Sequence, residues 1–401
     1  MEAAEGGPLA GLRIIEAGSL IAGPFCGQLL GDLGAEVLKI EPPGSGDPLR
    51  GWGRVLPEGR GLWWAVMGRN KKSVTLDLRE AEGQELMRAL IGHADVLIEN
   101  FRPGTLEGWG LDPDALRRAH PSLIVARVSG YGQTGPYADR AGYGAIGEAM
   151  GGLRYTTGDP DRPPSRIGIS VGDGLAATYT ALGVLAALHH RDRTGQGQQI
   201  DTAIYEAVLT MMESVIPEYD RLGYVRERSG AVLPGIAPSN AYPTADGSHL
   251  LIAANQDTVF TRLAAVMGQP GLATDPRYRS HEARARHQEQ LDALIADWTR
   301  GQDAVALEAL LSGAGVPAGR IYRPPDMLSD PHYAAREAIV HVEHPRWGRL
   351  AMAGVVPRLS DTPGTIRTPA PELGEHTDEV LGGLLGLSPA RIAALRGAGI
   401  V

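Results

Sequence analysis

The sequence predicts an α/β protein: a Rossmann-like, doubly wound parallel sheet in a large domain, plus a smaller α+β domain. Three observations carry this. Short apolar runs alternate with helix-period segments over the first 130 residues, the pattern of βαβ units. The chain has 401 residues, more than one hydrophobic core usually holds. Near Glu218 the composition turns charged and polar, ending in Pro234-Gly235-Ile236-Ala237-Pro238.

The elements follow in order. Leu12–Ala17 reads as a strand. Pro24–Leu33 reads as a helix, since a proline in the first turn lacks only an N–H that has no intrahelical partner. Ala35–Glu41 is a strand stopped by Pro42-Pro43-Gly44. Ser73–Leu78, Asp95–Glu99 and Leu123–Ser129 are further strands, separated by helices at Ala81–Ile91 and Leu111–Arg118. Right-handed crossovers between such strands give a doubly wound sheet. Gly130–Gly172 is glycine-rich and irregular, and long loops of this kind are usually functional. Leu175–His190, rich in Ala and Leu, reads as a buried helix. Thr194-Gly195-Gln196-Gly197 ends it before a strand at Gln199–Ala203 and a helix at Tyr205–Ile216.

Domain bounds follow: 1–220 for the large domain, 225–325 for the small one, and 330–401 as a tail returning to the large domain. The small domain has two strands about the Asp246-Gly247 turn signal. Its helices are at Thr258–Met267, Ala283–Thr299 and Ala304–Ala314. The tail has strands at Ile339–Val342 and Leu350–Ala353, a helix at Thr377–Leu385 and a last one after Pro389.

Composition excludes several functions. Net charge is −9, no basic run is long, and aromatics make up 5%, so nucleic-acid binding is not expected. The single cysteine, Cys26, allows no intrachain disulfide or multi-cysteine metal site. No apolar run reads as a membrane span, and Met1–Pro8 has no signal-peptide core. A cytoplasmic protein with no membrane partner and no metal is expected.

Asp173 is the leading candidate for chemistry. It lies between Gly172 and Gly174 at the start of the Leu175–His190 segment, where a carboxylate meets unpaired N–H groups and the positive helix end. It reads first as an N-cap, a role compatible with that of a carboxylate nucleophile, because capping uses one oxygen and attack the other. Asn100-Phe101-Arg102 follows a strand end, where open α/β sheets bind ligands. It is either a stacking and phosphate-pairing trio or a turn. Arg69-Asn70-Lys71-Lys72 reads as a phosphate contact or a solvated strand edge. The glycines at 18, 23, 27 and 31 lack the G-x-G-x-x-G spacing, so they serve a turn and close helix packing rather than a nicotinamide cofactor.

Together these segments resemble the class III coenzyme A transferases, the family that includes formyl-CoA transferase and the α-methylacyl-CoA racemases. The resemblance rests on Leu33-Gly34-Ala35-Glu36-Val37-Leu38-Lys39-Ile40-Glu41, Gly46-Asp47-Pro48, Arg69-Asn70-Lys71-Lys72, Asn100-Phe101-Arg102-Pro103-Gly104, Ser129-Gly130-Tyr131-Gly132, Gly172-Asp173 and Gly374-Glu375-His376-Thr377, in family order. It implies that Asp173 is the nucleophile. It implies CoA contacts at Leu20, Ala22, Leu76, Asn100, Phe101, Arg102 and Tyr143, with coenzyme A and acyl-CoA as substrates and no permanently bound cofactor. Racemases of the family use a histidine where Tyr143 stands, and a phenol of pKa about 10 is a poor base at neutral pH. Ile21 stands where formyl-CoA transferase has glutamine. Gly147–Tyr155 and Gly235–Asn240 look most like the subgroup that pairs succinyl-CoA with malate, citramalate or similar acids. Glu148, Arg154 and Arg166 are then candidates at the substrate carboxylate; the alternative reading of either arginine is a loop ion pair. The resemblance also implies an interlocked ring-like homodimer, or a paralogous partner subunit. Alternatives are a racemase or epimerase, and a non-catalytic CoA-binding subunit.

Overall fold

The computed structural model describes residues 6–54 and 61–401. The chain forms two units: one of Met1–Leu153, Ile167–Gly223 and Ala335–Val401, the other of Arg154–Arg166 and Tyr224–Ala334.

The first unit is built on six parallel strands. Along the chain come β1 (Arg13–Glu16), α1 (Ala22–Asp32), β2 (Glu36–Glu41), α2 (Leu62–Met67), β3 (Lys71–Thr75), α3 (Ala81–Ile91), β4 (Val96–Glu99), α4 (Thr105–Gly108), α5 (Pro113–Ala119) and β5 (Ile124–Ser129). Then follow α6 (Gly144–Met150), α7 (Leu153–Thr156), α8 (Val171–Thr194), β6 (Gln199–Ala203), α9 (Ile204–Leu209) and α10 (Val215–Leu222). The strand order is β3-β2-β1-β4-β5-β6, every pairing parallel. The order reverses between β1 and β4, the switch point at which doubly wound sheets bind ligands.

Continuous apolar strands bury both sheet faces. On one face Ile14, Val37, Ile98 and Ile124 pack against Cys26 and Leu30 of α1 and against Ala181, Val184 and Leu188 of α8. On the other, Ile15, Leu38, Val74, Leu97 and Val125 pack against Met87 and Leu90 of α3.

The second unit carries an antiparallel sheet of β7 (Ser239–Pro243), β8 (His249–Ala253) and β9 (Ala318–Arg320). Gly247 takes the left-handed φ of 76° in the turn between β7 and β8. The helices α11 (Asp257–Val266), α12 (His281–Arg286), α13 (Gln288–Thr299) and α14 (Ala304–Gly313) enclose a core of Tyr242, Leu250, Phe260, Leu291 and Leu307. Two short helices follow, α15 (Pro324–Ser329) and α16 (Pro331–Ala335).

The chain then adds β10 (Ile339–His344), β11 (Gly348–Ala353), α17 (Thr377–Leu385) and α18 (Pro389–Gly397). Val380, Leu381, Ile392 and Leu395 join the same core as α3. This tail also covers the edge strand β3. Asn70 donates its N–H to Thr368, Asp77 donates to Ile400, and the Ser73 carbonyl accepts from His376. The Thr75 N–H reaches Thr377 Oγ1 at 3.0 Å.

Several expectations need correction. Gly130–Gly172 is not wholly irregular, because it contains α6. The Tyr205–Ile216 helix is broken into α9 and α10, and Ala283–Thr299 breaks at His287, whose ring Nδ1 lies 2.9 Å from the Ala283 carbonyl. The helix expected from Leu175 begins at Val171, with Ser170 at its N-cap, so Asp173 lies in the first turn and is not the cap. Its 24 residues are long and apolar enough to span a membrane by length and composition. Here α8 is instead a core helix between α1 and strands β5 and β6. Arg69-Asn70-Lys71-Lys72 is neither phosphate site nor solvated edge. Arg69 pairs with Asp32 at 2.6 Å, and Lys71 with Glu16 at 2.7 Å, both buried. Lys72 pairs with Glu36 at 2.8 Å.

Candidate active site

The site is built at the carboxyl ends of the strands. After β1 the backbone turns at Gly18, and the Asn100 side chain, from the end of β4, lies against it. Ser19 donates its N–H to Asn100 Oδ1 at 2.7 Å and accepts from Nδ2 at 2.9 Å. A methyl at Gly18 would lie 2.2 Å from Asn100 Oδ1, and one at Gly23 would lie 3.0 Å from it. Glycine is therefore required for this approach. Leu20 follows in a left-handed conformation, φ 65°, with its N–H 3.1 Å from Asp47 Oδ1. Burial pushes the Asp47 carboxyl up, but the Lys39 ammonium at 2.8 Å overrides this and holds it below the usual aspartate range.

A cleft of about 490 Å³ opens beside this turn, with Gly18, Ser19, Asp47, Leu76, Phe101 and Trp109 in its wall. The Phe101 and Trp109 rings meet edge-to-face, with centroids 5.1 Å apart. Such an aromatic wall with polar backbone at one side suits a ligand with both apolar and polar parts. A larger cleft, about 730 Å³, lies at the amino ends of β1, β2 and β3. The switch-point rule favours the carboxyl-end cleft, which Leu76 and Phe101 line.

Asp173 stands in the first turn of α8, facing α6. A methyl at Gly144 would lie 2.1 Å from its Oδ2, so the carboxylate rests directly on the first residue of α6. Its side is partly open to solvent. The α8 start is held from below by Glu148, 1% exposed, whose Oε1 accepts from the Gly172 N–H at 3.3 Å. Ala176, one turn on from Asp173, packs with Ala22 of α1 and Val128 of β5. The starts of α1 and α8 therefore converge on the same end of the sheet.

The expected residues fall into groups. Leu76 and Phe101 line the cleft, and Asn100 braces its Gly18–Ser19 wall. Leu20 and Ala22 continue that wall along the chain, but the Ala22 side chain is buried at 3% exposure and can offer only its backbone. Arg102 is exposed beside Phe101. Tyr143, 69% exposed, is the N-cap residue of α6, adjacent to Gly144. Glu148 is buried under the α8 start, not open to a substrate. Ile21 is 7% exposed and packs with Leu49, Trp64 and Ala370. Arg154 and Arg166 fall in the second unit, whereas Asp173 falls in the first. Sequence reading did not single out Lys39, Asp47 as a holder of Leu20, or Trp109.

Residues 9–377 match the model of the family described as CoA-transferase family III. The chain belongs to that family. It is a class III CoA-transferase. It is 59% identical to succinyl-CoA–D-citramalate CoA-transferase of Chloroflexus aurantiacus over 97% of both chains. It is 43% identical to the beta subunit of succinyl-CoA–L-malate CoA-transferase of the same organism, again over 97% of both. A CAIB/BAIF family protein from Brucella suis has the same fold, with a TM-score of 0.84 and 35% identity over 95% of this chain and all of that one.

Proposed function

We propose that this enzyme moves coenzyme A from succinyl-CoA to a C4–C5 dicarboxylic acid of the citramalate or malate type, through Asp173. The observation that carries this reading is the Asp173 carboxylate, seated on Gly144 in the first turn of α8 at the ligand-binding end of the sheet. The 59% identical relative, named for succinyl-CoA and D-citramalate, supports the choice of acids.

An Asp173 oxygen attacks the succinyl-CoA carbonyl. The C–S bond breaks, giving a succinyl–aspartyl anhydride and CoA thiolate. The thiolate attacks the aspartyl carbonyl, forming an aspartyl-CoA thioester and releasing succinate. The acceptor carboxylate then attacks that thioester, giving a second anhydride and thiolate. Thiolate attack on the acceptor carbonyl yields the new acyl-CoA and restores Asp173. Each oxyanion needs donors already in place, since preorganised N–H groups stabilise charge at no reorganisation cost.

The test is chemical. Incubation with succinyl-CoA and hydroxylamine should convert Asp173 to a hydroxamate, read by peptide mass spectrometry, and a panel of acids should identify the acceptor. No label on Asp173 during active turnover would overturn the mechanism.

Relatives include alpha and beta subunits, which supports a second reading in which a paralogous chain completes the enzyme. Full activity of the pure chain excludes it. A homodimer is proposed on the apolar side chains exposed on α8 and α10: Leu182 at 61%, Ile216 at 60% and Leu222 at 76%.

A further inference from the structure

Four charged side chains lie buried beneath the Gly18–Pro24 segment. The Glu16 carboxylate sits between two ammonium groups, 3.1 Å from Lys39 Nζ and 2.7 Å from Lys71 Nζ. Lys39 also pairs with Asp47 at 2.8 Å. None of these side chains is more than 1% exposed. The cluster balances, with two cations and two anions. Helix α1 lies so close above it that a methyl at Gly27 would be 2.0 Å from Glu16 Oε2.

Three of the four side chains reach the backbone of that segment, and Glu16 holds the two lysines between them. Lys39 Nζ donates to the Gly18 carbonyl. Asp47 accepts from the Leu20 N–H. Lys71 Nζ donates to the Pro24 carbonyl at 2.6 Å. With Asn100 holding Ser19, the segment is tied at both ends and in the middle. It also carries Leu20 in the left-handed conformation, which is disfavoured for any residue with a Cβ.

Stability does not account for such a cluster. Well-packed apolar residues in place of buried ion pairs are often neutral or stabilising. What the charges supply is a fixed backbone beside the cleft, whose wall includes Gly18, Ser19, Lys39 and Asp47.

We propose that Glu16, Lys39, Asp47 and Lys71 are positioning residues that hold the Gly18–Pro24 backbone in register with the CoA thioester during transfer. The proposal rests on the transferase reading above. None of the four is assigned contact with the reacting atoms. A loosened segment leaves the thioester off its line of attack and lets water compete for the acyl-enzyme.

Two charge-balanced double substitutions test this, one for each end: Lys39→Met with Asp47→Asn, and Glu16→Gln with Lys71→Met. In folded variants kcat should fall about 10–100-fold, the cost of a roughly 1 Å misplacement. The ratio of thioester hydrolysis to transfer should rise, while KM for the acceptor acid stays near the wild-type value. The Ser19 and Leu20 amides should exchange at least about tenfold faster, as local opening becomes easier. Folded variants with wild-type kcat and hydrolysis ratio would overturn the proposal and leave the cluster purely structural. Should either pair fail to fold, exchange in the wild-type enzyme decides. The clamp requires the Ser19 and Leu20 amides to be protected without CoA, and protection only on adding CoA would overturn it. If the wild-type chain transfers CoA to no acid, the transferase reading fails. The clamp is then still decided by amide exchange and by CoA affinity from calorimetry.

Discussion

Asp173 and Gly144 form one unit of geometry, and each makes a separate prediction. Asp173→Ala should lower kcat by about 10⁴-fold or more, the scale of losing a nucleophile. CoA affinity, measured by calorimetry, should be nearly unchanged. Gly144→Ala places a methyl 2.1 Å from Asp173 Oδ2, so the carboxylate must turn away. It should lose about 10²-fold in kcat with little change in melting temperature, and a full-rate Gly144→Ala enzyme would deny Asp173 its role. The glycine-flanked aspartate and the strand-end Phe101 were legible in the sequence because each adjoins a local signal, a turn or a strand end. Lys39 was not. Inside an apolar strand it reads as a solvent-facing residue, and only its long-range partners Glu16 and Asp47 explain its burial. The start of α8 was misplaced because Gly172 reads as a breaker, whereas Glu148 satisfies its N–H from another helix.

Helix α6 shows why element reading failed where it did. Its glycines at 144 and 147 lower intrinsic helicity by roughly 1 kcal/mol each and Gly151 caps its end, so the segment reads as loop. In the fold these residues are the contact face. A methyl at Gly147 would lie 2.5 Å from Ile204 Cγ2, and one at Gly151 would lie 2.6 Å from Val208 Cγ1. Close packing on α9 thus outweighs propensity. Gly147→Ala should destabilise by about 1–3 kcal/mol through overpacking, read as a lower urea midpoint with unchanged slope. An unaltered midpoint would mean the α6–α9 contact yields without cost. The parallel strands, by contrast, were evident from their apolar runs, because burial on both faces leaves no ambiguity of period. The helix breaks at His287 and after Leu209 were not, since nothing local marks them.

For the first unit as a whole, acid should be the weak direction. Burial pushes Glu36, Glu41 and Asp47 up, but Lys72 and Arg13, Arg50, and Lys39 respectively more than reverse this, leaving all three below their ordinary values. At these three groups the unfolded chain therefore binds more protons than the folded one as pH drops below about 4–5, against the opposite pull of Glu99, which burial pushes up. Their contribution is fully present above that range and is lost as pH falls through the folded values. Urea midpoints should be level from pH 7 to about 5 and then fall; a flat profile down to pH 3 would contradict the assignment. Light scattering after size exclusion should give twice the chain mass, and a monomer at micromolar concentration would refute the proposed homodimer.

The cover of β3 bears on how this protein is made. Thr75 waits for Thr377, 302 residues later. At about 5–20 residues per second, synthesis leaves that edge bare for roughly 15–60 s. A bare strand edge invites pairing with a neighbouring nascent chain. The ribosome-bound intermediate, rather than the finished enzyme, is thus the species most in need of a chaperone, and slower growth with fewer crowded polysomes should improve the soluble yield.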